Sequence, residues 1–188
     1  MKQAKTLNER ELKTVLAICA TRRYAARDRA ILLFSFCAGL RAKEIAALTV
    51  GNLVGEDGRV REECVLVPSQ TKGKKARRIF INTRLQRELA AYIKTLDHAH
   101  PALPLFQTQK RTTFTANSMC HLFIDIYTAA GIEGASSHSG RRSLLTSLAS
   151  KGISVRVLQE IAGHSSLSIT QKYIDVNDHQ IQSALELA

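Results

Sequence analysis

The N-terminal part of the chain has apolar positions that recur at α-helical spacing. They predict the buried face of a first helix and are Leu12, Val15, Leu16 and Cys19. Asn8, with Glu11 three residues later, predicts the start of that helix as a capping box. A nearly apolar run predicts a second helix from about Ala25 to Cys37, which Gly39 would end in a left-handed conformation. A short third helix, Ala42 to Leu48, is predicted to follow at once.

After Thr49 the pattern changes to short β-prone runs. Val65–Val67 and Ile79–Ile81 are two such runs, and they predict an antiparallel β-hairpin. The segment between them, Pro68 to Arg78, contains a glycine and five basic residues, Lys72, Lys74, Lys75, Arg77 and Arg78. The hairpin is therefore expected to carry a cationic tip, and Asn52 to Val54 is a candidate for a third strand.

The rest of the chain again has helical periodicity. The predicted helices are Leu85 to Leu96, Thr115 to Ala130, Arg141 to Lys151, a helix from the cap Ser154 to Ala162, Ser168 to about Ile174, and Gln180 to Leu187. No repeat, low-complexity tract or long linker divides the sequence. It therefore predicts a single domain over residues 1–188, mainly α with a small antiparallel β-sheet, which is an α+β fold class.

Charge narrows the class of partner. Twenty-seven Lys and Arg against sixteen Asp and Glu leave a formal net charge of +11 in 188 residues. Such an excess indicates a polyanion, most often nucleic acid, although an anionic membrane surface fits the same number. No predicted helix combines a broad apolar face with a cationic one, so the membrane surface is the weaker alternative. Six Phe, four Tyr and no Trp disfavour single-strand binding by stacked aromatic side chains.

The sequence predicts a cytoplasmic protein. Its longest nearly apolar run, Ala30 to Leu40, would extend about 16 Å as a helix, half of a hydrocarbon core. Polar residues follow Met1, so no signal peptide is indicated. The four cysteines lie far apart without a CxxC pair, which favours a reduced compartment over zinc or disulfides. His98 and His100 give the one metal-like spacing, in a proline-containing loop where solvent exposure explains it.

Several polar residues beside predicted helix ends are candidates for chemistry. Each alone has an ordinary structural explanation, as a helix-local ion pair, a helix start, a C-terminal cap or a packing tyrosine. Their order is more specific. The sequence contains Ala38-Gly-Leu-Arg41, then Thr71-Lys-Gly-Lys74, then His138-Ser-Gly-Arg141, then Gly163-His164 with Tyr173 nine residues later. This succession resembles the tyrosine recombinase family, the phage integrases and their relatives, over essentially the whole chain.

The resemblance implies an integrase catalytic-domain fold and a site-specific recombinase that forms a 3′-phosphotyrosine intermediate. It implies that Tyr173 is the nucleophile and that Arg41 and Arg141 bind the phosphate. The other roles it implies are Lys72 as general acid, His138 as base, His164 as a hydrogen-bond donor to the phosphate, and Glu44 as a supporting residue. It implies neither metal nor cofactor, because the arginines neutralise the charge.

The same resemblance sets expectations about DNA binding and assembly. Residues expected to contact the DNA backbone are Lys74, Lys75, Arg77 and Arg78, with Arg22, Arg23, Arg27, Arg29 and Arg111 as further candidates. The family usually has Leu where Gly140 stands and His where Arg142 stands. Most members also carry an N-terminal core-binding domain, which we expect to be absent here, as in the short fimbrial-inversion recombinases. The expected partner is double-stranded DNA, bound by a homotetramer.

Two alternatives remain open at this point. A catalytically silent DNA-binding module could keep the fold without turnover. A type IB topoisomerase-like enzyme would use the same tyrosine chemistry to relax DNA without exchanging strands. The terminal segment from Ile181 to Leu187 either folds back on its own domain or, as the family suggests, packs on a neighbouring protomer.

Overall fold

The computed structural model describes residues 3–71, 73, 75–96, 100–173 and 185–186. Over these residues the chain is mainly helical, with one antiparallel hairpin, as the sequence predicts. The elements in chain order are α1 (Glu9–Thr21), α2 (Ala25–Cys37), α3 (Ala42–Ala46), α4 (Val50–Leu53), β1 (Glu63–Leu66), β2 (Arg77–Phe80), α5 (Thr83–Ile93), α6 (Ala116–Ala129), α7 (Ser139–Ser150), α8 (Val155–Ala162) and α9 (Leu167–Gln171).

Local signals set the ends of the N-terminal helices. Asn8 accepts a hydrogen bond from the backbone N–H of Glu11, and the Glu11 carboxylate accepts one from Asn8, so the predicted capping box is confirmed. Helix α2 has the predicted limits, and Gly39 follows it with a φ of +63°. A side chain at this position would be strained in that conformation. The chain can therefore turn directly from α2 into α3.

Helix α2 lies at the centre of the molecule and packs against α1, α5 and α7. Its residues Ala30 to Phe36 are all buried, which accounts for the apolar run in the sequence. The aromatic part of the core includes Phe34, whose ring meets that of Phe106 edge-on with centroids 5.9 Å apart. No helix among the described residues is long and apolar enough to cross a membrane.

A second, smaller core lies between α7 and α8. Its buried members are Leu145, Ala149, Leu158 and Ala162. Leu148, Ile161 and Tyr173 pack against this cluster. The tyrosine that the sequence marks as a nucleophile therefore rests on the α7–α8 pair.

The hairpin begins and ends earlier than predicted. Strand β1 pairs with β2 in a register that sets Cys64 opposite Ile79 and Leu66 opposite Arg77. Arg77 and Arg78 consequently belong to a strand and not to the cationic tip. Within β2, Arg77 and Ile79 face inwards while Arg78 and Phe80 are exposed, because successive side chains point to opposite faces.

The prediction of a third strand at Asn52 to Val54 is wrong. The segment forms the short helix α4 instead, and only Val54 makes an isolated bridge, to Val60. The Asn52 side chain accepts a hydrogen bond from the backbone N–H of Thr49 (2.9 Å) and another from Gln70 Nε2 (2.8 Å). This local bond satisfies a free N–H at the start of the helix, so a helical turn is favoured over a strand.

Candidate active site

Arg41 and Glu44 lie at the corner where α2 turns into α3. Arg41 precedes α3, and its backbone N–H and its Nη1 both donate to the Glu44 carboxylate, at 2.9 and 3.0 Å. The Glu44 side chain is only 1% exposed, whereas that of Arg41 is 21% exposed. Buried carboxylates are stable only when paired. Glu44 thus orients Arg41 at the cleft while staying out of solvent itself.

Arg141 projects from the first turn of α7 and is 2% exposed. Its backbone N–H donates to Ser35 Oγ in α2 (3.1 Å), its Nη1 to the carbonyl of Gly39 (2.6 Å) and its Nη2 to the carbonyl of Ala162. Burial, together with the charges of Arg41 and Arg77, lowers the pKa of Arg141 to about 9. The guanidinium therefore stays protonated at neutral pH.

His164 follows the left-handed Gly163 that ends α8. Its Nδ1 lies 2.9 Å from the hydroxyl of Thr170, which is fully buried in α9. Burial and the nearby charges of Arg141, Arg41 and Arg77 lower its pKa to about 4. The imidazole is therefore neutral at pH 7.

Tyr173 lies just beyond α9, and two residues that precede it in the sequence contact its ring. The His164 ring stacks on it, with centroids 5.7 Å apart and 19° between the planes. The Arg142 guanidinium carbon lies 6.0 Å from the centroid of the same ring. The backbone N–H of Tyr173 donates to the carbonyl of Thr170 (3.0 Å). Tyr173 thus lies in the candidate active site of the same chain.

One open cleft of about 1710 Å³ connects these groups. Five of the six predicted catalytic residues line it: Arg41, His138, Arg141, His164 and Tyr173. His138 stands exposed at the start of α7, and its backbone N–H donates to Ser136 Oγ (3.3 Å). Segments far apart in the sequence therefore converge on one surface rich in cationic donors.

Two predicted lysines, Lys72 and Lys74, lie outside the described residues, as does His98 of the metal-like pair. Their neighbour Thr71 is 4% exposed, and its hydroxyl donates to the carbonyl of Lys75 (2.9 Å). Lys75 is exposed and lines the cleft. Among the described residues, no group of three or more His, Cys, Asp or Glu could hold a metal ion.

Some basic residues expected to bind DNA are occupied within the chain. Arg22 and Arg27 both pair with the buried Asp28, at 2.7 and 2.8 Å, and Arg29 pairs with Glu88 at 2.6 Å. Arg78 differs, because its side chain is 62% exposed. The ion pair that it makes, at 3.6 Å, is with a glutamate that is itself exposed to solvent. The cationic surface is thus smaller than the sequence suggests.

Arg77, another residue expected to contact DNA, is also engaged within the chain. Its side chain is 10% exposed, and its Nη1 donates to Glu44 (3.0 Å) while its Nη2 donates to the carbonyl of Ile161. The sequence does contain a signal that Arg77 points inwards, because Arg77 shares one face of an alternating strand with Ile79 and Ile81. The contacts that Thr170 and Arg142 make with His164 and Tyr173 leave no such pattern in the sequence.

Known proteins share sequence similarity with this chain over most of its length. The sequence profile of the phage integrase family matches residues 5–180. The tyrosine recombinase XerA of Pyrococcus horikoshii is 29% identical over 184 residues, which are 98% of this chain and 61% of the relative. The tyrosine recombinase XerC of Myxococcus xanthus is 31% identical over 186 residues, 95% of this chain and 57% of that protein. The chain thus spans about three-fifths of the length of these relatives.

Solved structures share the fold. A crystal structure of XerA recombinase superimposes with a TM-score of 0.77 and 22% identity, covering 100% of this chain and 66% of that one. The Tn1549 transposon integrase in complex with a circular intermediate DNA gives 0.78 and 19%, with 100% and 67% coverage. The catalytic domain of bacteriophage HP1 integrase gives 0.66 and 20%, and here the match covers 98% of this chain and 95% of the other.

Proposed function

The chain belongs to the phage integrase family, and we propose that it is a site-specific recombinase that cuts and rejoins DNA through a covalent 3′-phosphotyrosine. The observation that carries the proposal is the open cleft that Tyr173 lines together with two arginines, Arg41 and Arg141, and two histidines, His138 and His164. The names of the XerA and XerC relatives, both tyrosine recombinases, support the same activity.

In the proposed cleavage step the phenol oxygen of Tyr173 attacks the scissile phosphorus. A bond forms between this oxygen and phosphorus while the bond from phosphorus to the 5′-oxygen breaks. His138 takes the phenol proton, and Lys72 supplies a proton to the departing 5′-oxygen. The phosphotyrosine keeps the energy of a phosphodiester, so the reverse attack by a 5′-hydroxyl rejoins the strand.

The cationic groups would stabilise the charge on the non-bridging oxygens. Arg141 uses two of its five N–H groups on backbone carbonyls, so others remain for a phosphate. Arg41 is the more exposed of the two arginines and lines the same cleft. Fixed guanidinium donors in a largely buried setting are effective because they need no reorganisation during the reaction.

We assign His164 as a neutral donor to a non-bridging oxygen. Its lowered pKa favours the uncharged imidazole, and a hydrogen bond from the Thr170 hydroxyl to Nδ1 would leave the proton on Nε2. That proton would be available to the substrate, because Nδ1 is already engaged by Thr170 and His164 lines the cleft. Glu44 would act indirectly, by holding Arg41 in place.

Double-stranded DNA is the proposed partner. The exposed Arg78 and Lys75, with Lys74, would contact its backbone, and relatives of this fold have been solved with DNA, including XerH bound to its difH substrate.

A homotetramer on DNA, coupled by the terminal segment, stays a prediction because most of residues 174–188 lie outside the described part. A single catalytic domain, a cytoplasmic location and a likeness to fimbrial-inversion recombinases likewise stay predictions.

The deciding experiment uses a nicked duplex that traps the covalent intermediate. The duplex would be selected from a random library by its binding to the full chain and then nicked beside the cleavage position. We expect a covalent protein–DNA band on a denaturing gel that disappears in Tyr173→Phe. The matched control Tyr24→Phe, outside the cleft, should keep the band.

The alternatives give different results in this assay and in a parallel assay on a supercoiled plasmid that carries the selected site. Tight binding without any covalent band would indicate a silent DNA-binding module and overturn the proposal. A covalent band accompanied by supercoil relaxation and no recombinant product would indicate topoisomerase-like activity. Arg41→Ala should abolish the band but leave much of the salt-sensitive DNA binding, because backbone contacts elsewhere supply most of the affinity.

A further inference from the structure

Two guanidiniums from different elements hold the C-terminal end of α8. Arg77, in β2, donates to the carbonyl of Ile161, and Arg141, in α7, donates to the carbonyl of Ala162. The last carbonyls of a helix have no partner within the helix and carry the negative end of its dipole. Both cations therefore occupy positions that the helix end favours.

The other end of the Arg77 guanidinium reaches the corner before α3. Its Nη1 donates to Glu44 Oε2 at 3.0 Å, and the same carboxylate accepts from Arg41 Nη1 at 3.0 Å. Glu44 is almost completely buried between the two cations. Arg77 consequently bridges the hairpin, the Arg41 corner and the end of α8 with one side chain.

The packing around Arg77 leaves little freedom. A Cβ atom placed on Gly163 would lie 2.7 Å from both Cδ and Nε of Arg77, and Gly163 also has a φ of +57°. The Nε atom is buried and has no hydrogen-bond partner among the described residues. An unpaired buried donor is unfavourable, so the contacts of Nη1 and Nη2 keep the side chain in this conformation.

We propose that Arg77 is a positioning residue that fixes His164 in the active site rather than a contact for the DNA backbone. His164 directly follows Gly163, and its backbone N–H donates to the carbonyl of Gln159 in the last turn of α8 (3.1 Å). An anchored helix end thus anchors the imidazole and the Tyr173 ring stacked on it. The inference rests on the proposed function only for its catalytic consequence.

The first test needs no DNA. Hydrogen exchange of the full chain would be measured for wild type, Arg77→Ala and Arg78→Ala. We expect Arg77→Ala to speed exchange of the Gly163 and His164 amides at least tenfold relative to amides of α2. Arg78→Ala, a neighbour on the same strand that faces solvent, should leave these two amides unchanged. Equal protection in Arg77→Ala and wild type would overturn the proposal.

A double-mutant cycle tests the contact itself. Gly163→Ala introduces a clash with Arg77 and a backbone strain, and only the clash disappears in the Arg77→Ala background. The folding equilibrium constant should therefore fall by a smaller factor when Gly163→Ala is made in Arg77→Ala. Equal factors in both backgrounds would contradict the packing. Arg77→Thr, whose side chain ends short of the Cδ and Nε positions that meet Gly163, replaces Arg77→Ala if that variant does not fold.

The catalytic consequence is tested on the nicked duplex. Arg77→Ala should slow covalent-complex formation at saturating DNA at least tenfold while weakening DNA binding less than threefold. Arg78→Ala should instead weaken DNA binding by a larger factor than it slows covalent-complex formation at saturating DNA. Arg77→Lys keeps the charge but not the two-ended fork, so it should bind DNA as wild type does and still react as slowly as Arg77→Ala. Weaker binding with an unchanged rate in Arg77→Ala would identify a backbone contact and overturn the proposal. If wild type forms no covalent complex, the proposed recombinase fails, while hydrogen exchange still decides the role of Arg77.

Discussion

The rings of His164 and Tyr173 stack with their planes 19° apart, so the proposed phosphate donor and the proposed nucleophile support each other. Only the short helix α9 separates them along the chain. Thr170 joins the pair, because its hydroxyl meets the imidazole and its carbonyl accepts the N–H of Tyr173. His164, Thr170 and Tyr173 thus form one hydrogen-bonded unit beside the arginines.

The lowered pKa of His164 predicts a pH dependence of stability. The ordinary pKa is 6.5 and the folded value is about 4, so between these pH values the unfolded chain takes up a proton that the folded chain does not. The contribution of the neutral His164 to stability is then complete above pH 6.5 and is lost as the pH falls towards 4. After discounting for solvent, we expect the wild type to lose about 1 to 2 kcal/mol more than His164→Gln across this range.

Urea unfolding at a series of pH values measures this difference. His164→Gln is the control because glutamine does not titrate, whereas carboxylates elsewhere contribute equally to both proteins. Parallel pH profiles for the two proteins would contradict the lowered pKa.

Arg142 is expected to assist the nucleophile. Its guanidinium lies within cation–π range of the Tyr173 ring, and such contacts contribute about 0.5–1 kcal/mol. Arg142→Ala should therefore slow single-turnover cleavage by about two- to fivefold at saturating DNA. Arg142→Lys, which keeps the cation, should lose less. A rate unchanged in Arg142→Ala would mean that the contact has no catalytic effect.

The proposed acid role of Lys72 predicts a dependence on the leaving group. Lys72→Ala should slow cleavage of an ordinary duplex by about 10²–10⁴-fold, the usual contribution of a general acid. Replacing the 5′-oxygen by sulfur should remove most of this defect, because a thiolate leaves without a proton. Lys75→Ala, in the same basic segment, should show no such rescue. Equal defects of Lys72→Ala on both substrates would exclude the acid role.

Gly140 should tolerate no side chain. A Cβ there would lie 2.6 Å from Ser35 Oγ and 2.7 Å from Phe36 Cδ2, both in the buried helix α2. We expect Gly140→Ala to reduce the free energy of unfolding by about 1–3 kcal/mol, as overpacking does elsewhere. Gly73→Ala is a control, because among the described residues no atom lies within 4 Å of its added Cβ. Similar urea midpoints for wild type and Gly140→Ala would contradict this packing.

Features of the fold with local causes could be predicted from the sequence. The limits of α2 and the capping box at Asn8 depend on residues within one helical turn, and both predictions are confirmed. The glycines after α6, α7 and α8 likewise mark helix ends, because each has a positive φ. The third strand failed for a related reason, since the side-chain bond of Asn52 to a nearby N–H outweighed the strand preference of its neighbours.

The site could be predicted only as a set of candidates. Motif order named the residues that line the cleft, but no pattern within one segment reveals that Glu44 is shared by Arg41 and Arg77. That arrangement depends on where β2 begins. The predicted strand began two residues too late, at Ile79, and therefore left Arg77 in the solvated tip. The contact of Arg142 with Tyr173 similarly arises from the packing of two elements that are remote in sequence.

The small cluster between α7 and α8 gives the nucleophile a foundation of its own. Because Tyr173 packs on four buried residues that are separate from the main core, a local opening of that cluster could release the phenol while the remainder stayed folded. Substitutions at Leu145 or Leu158 would then alter how often the tyrosine is presented to DNA with little change in the melting of the large core. The rate of cleavage and the global stability of the protein would then respond to different substitutions.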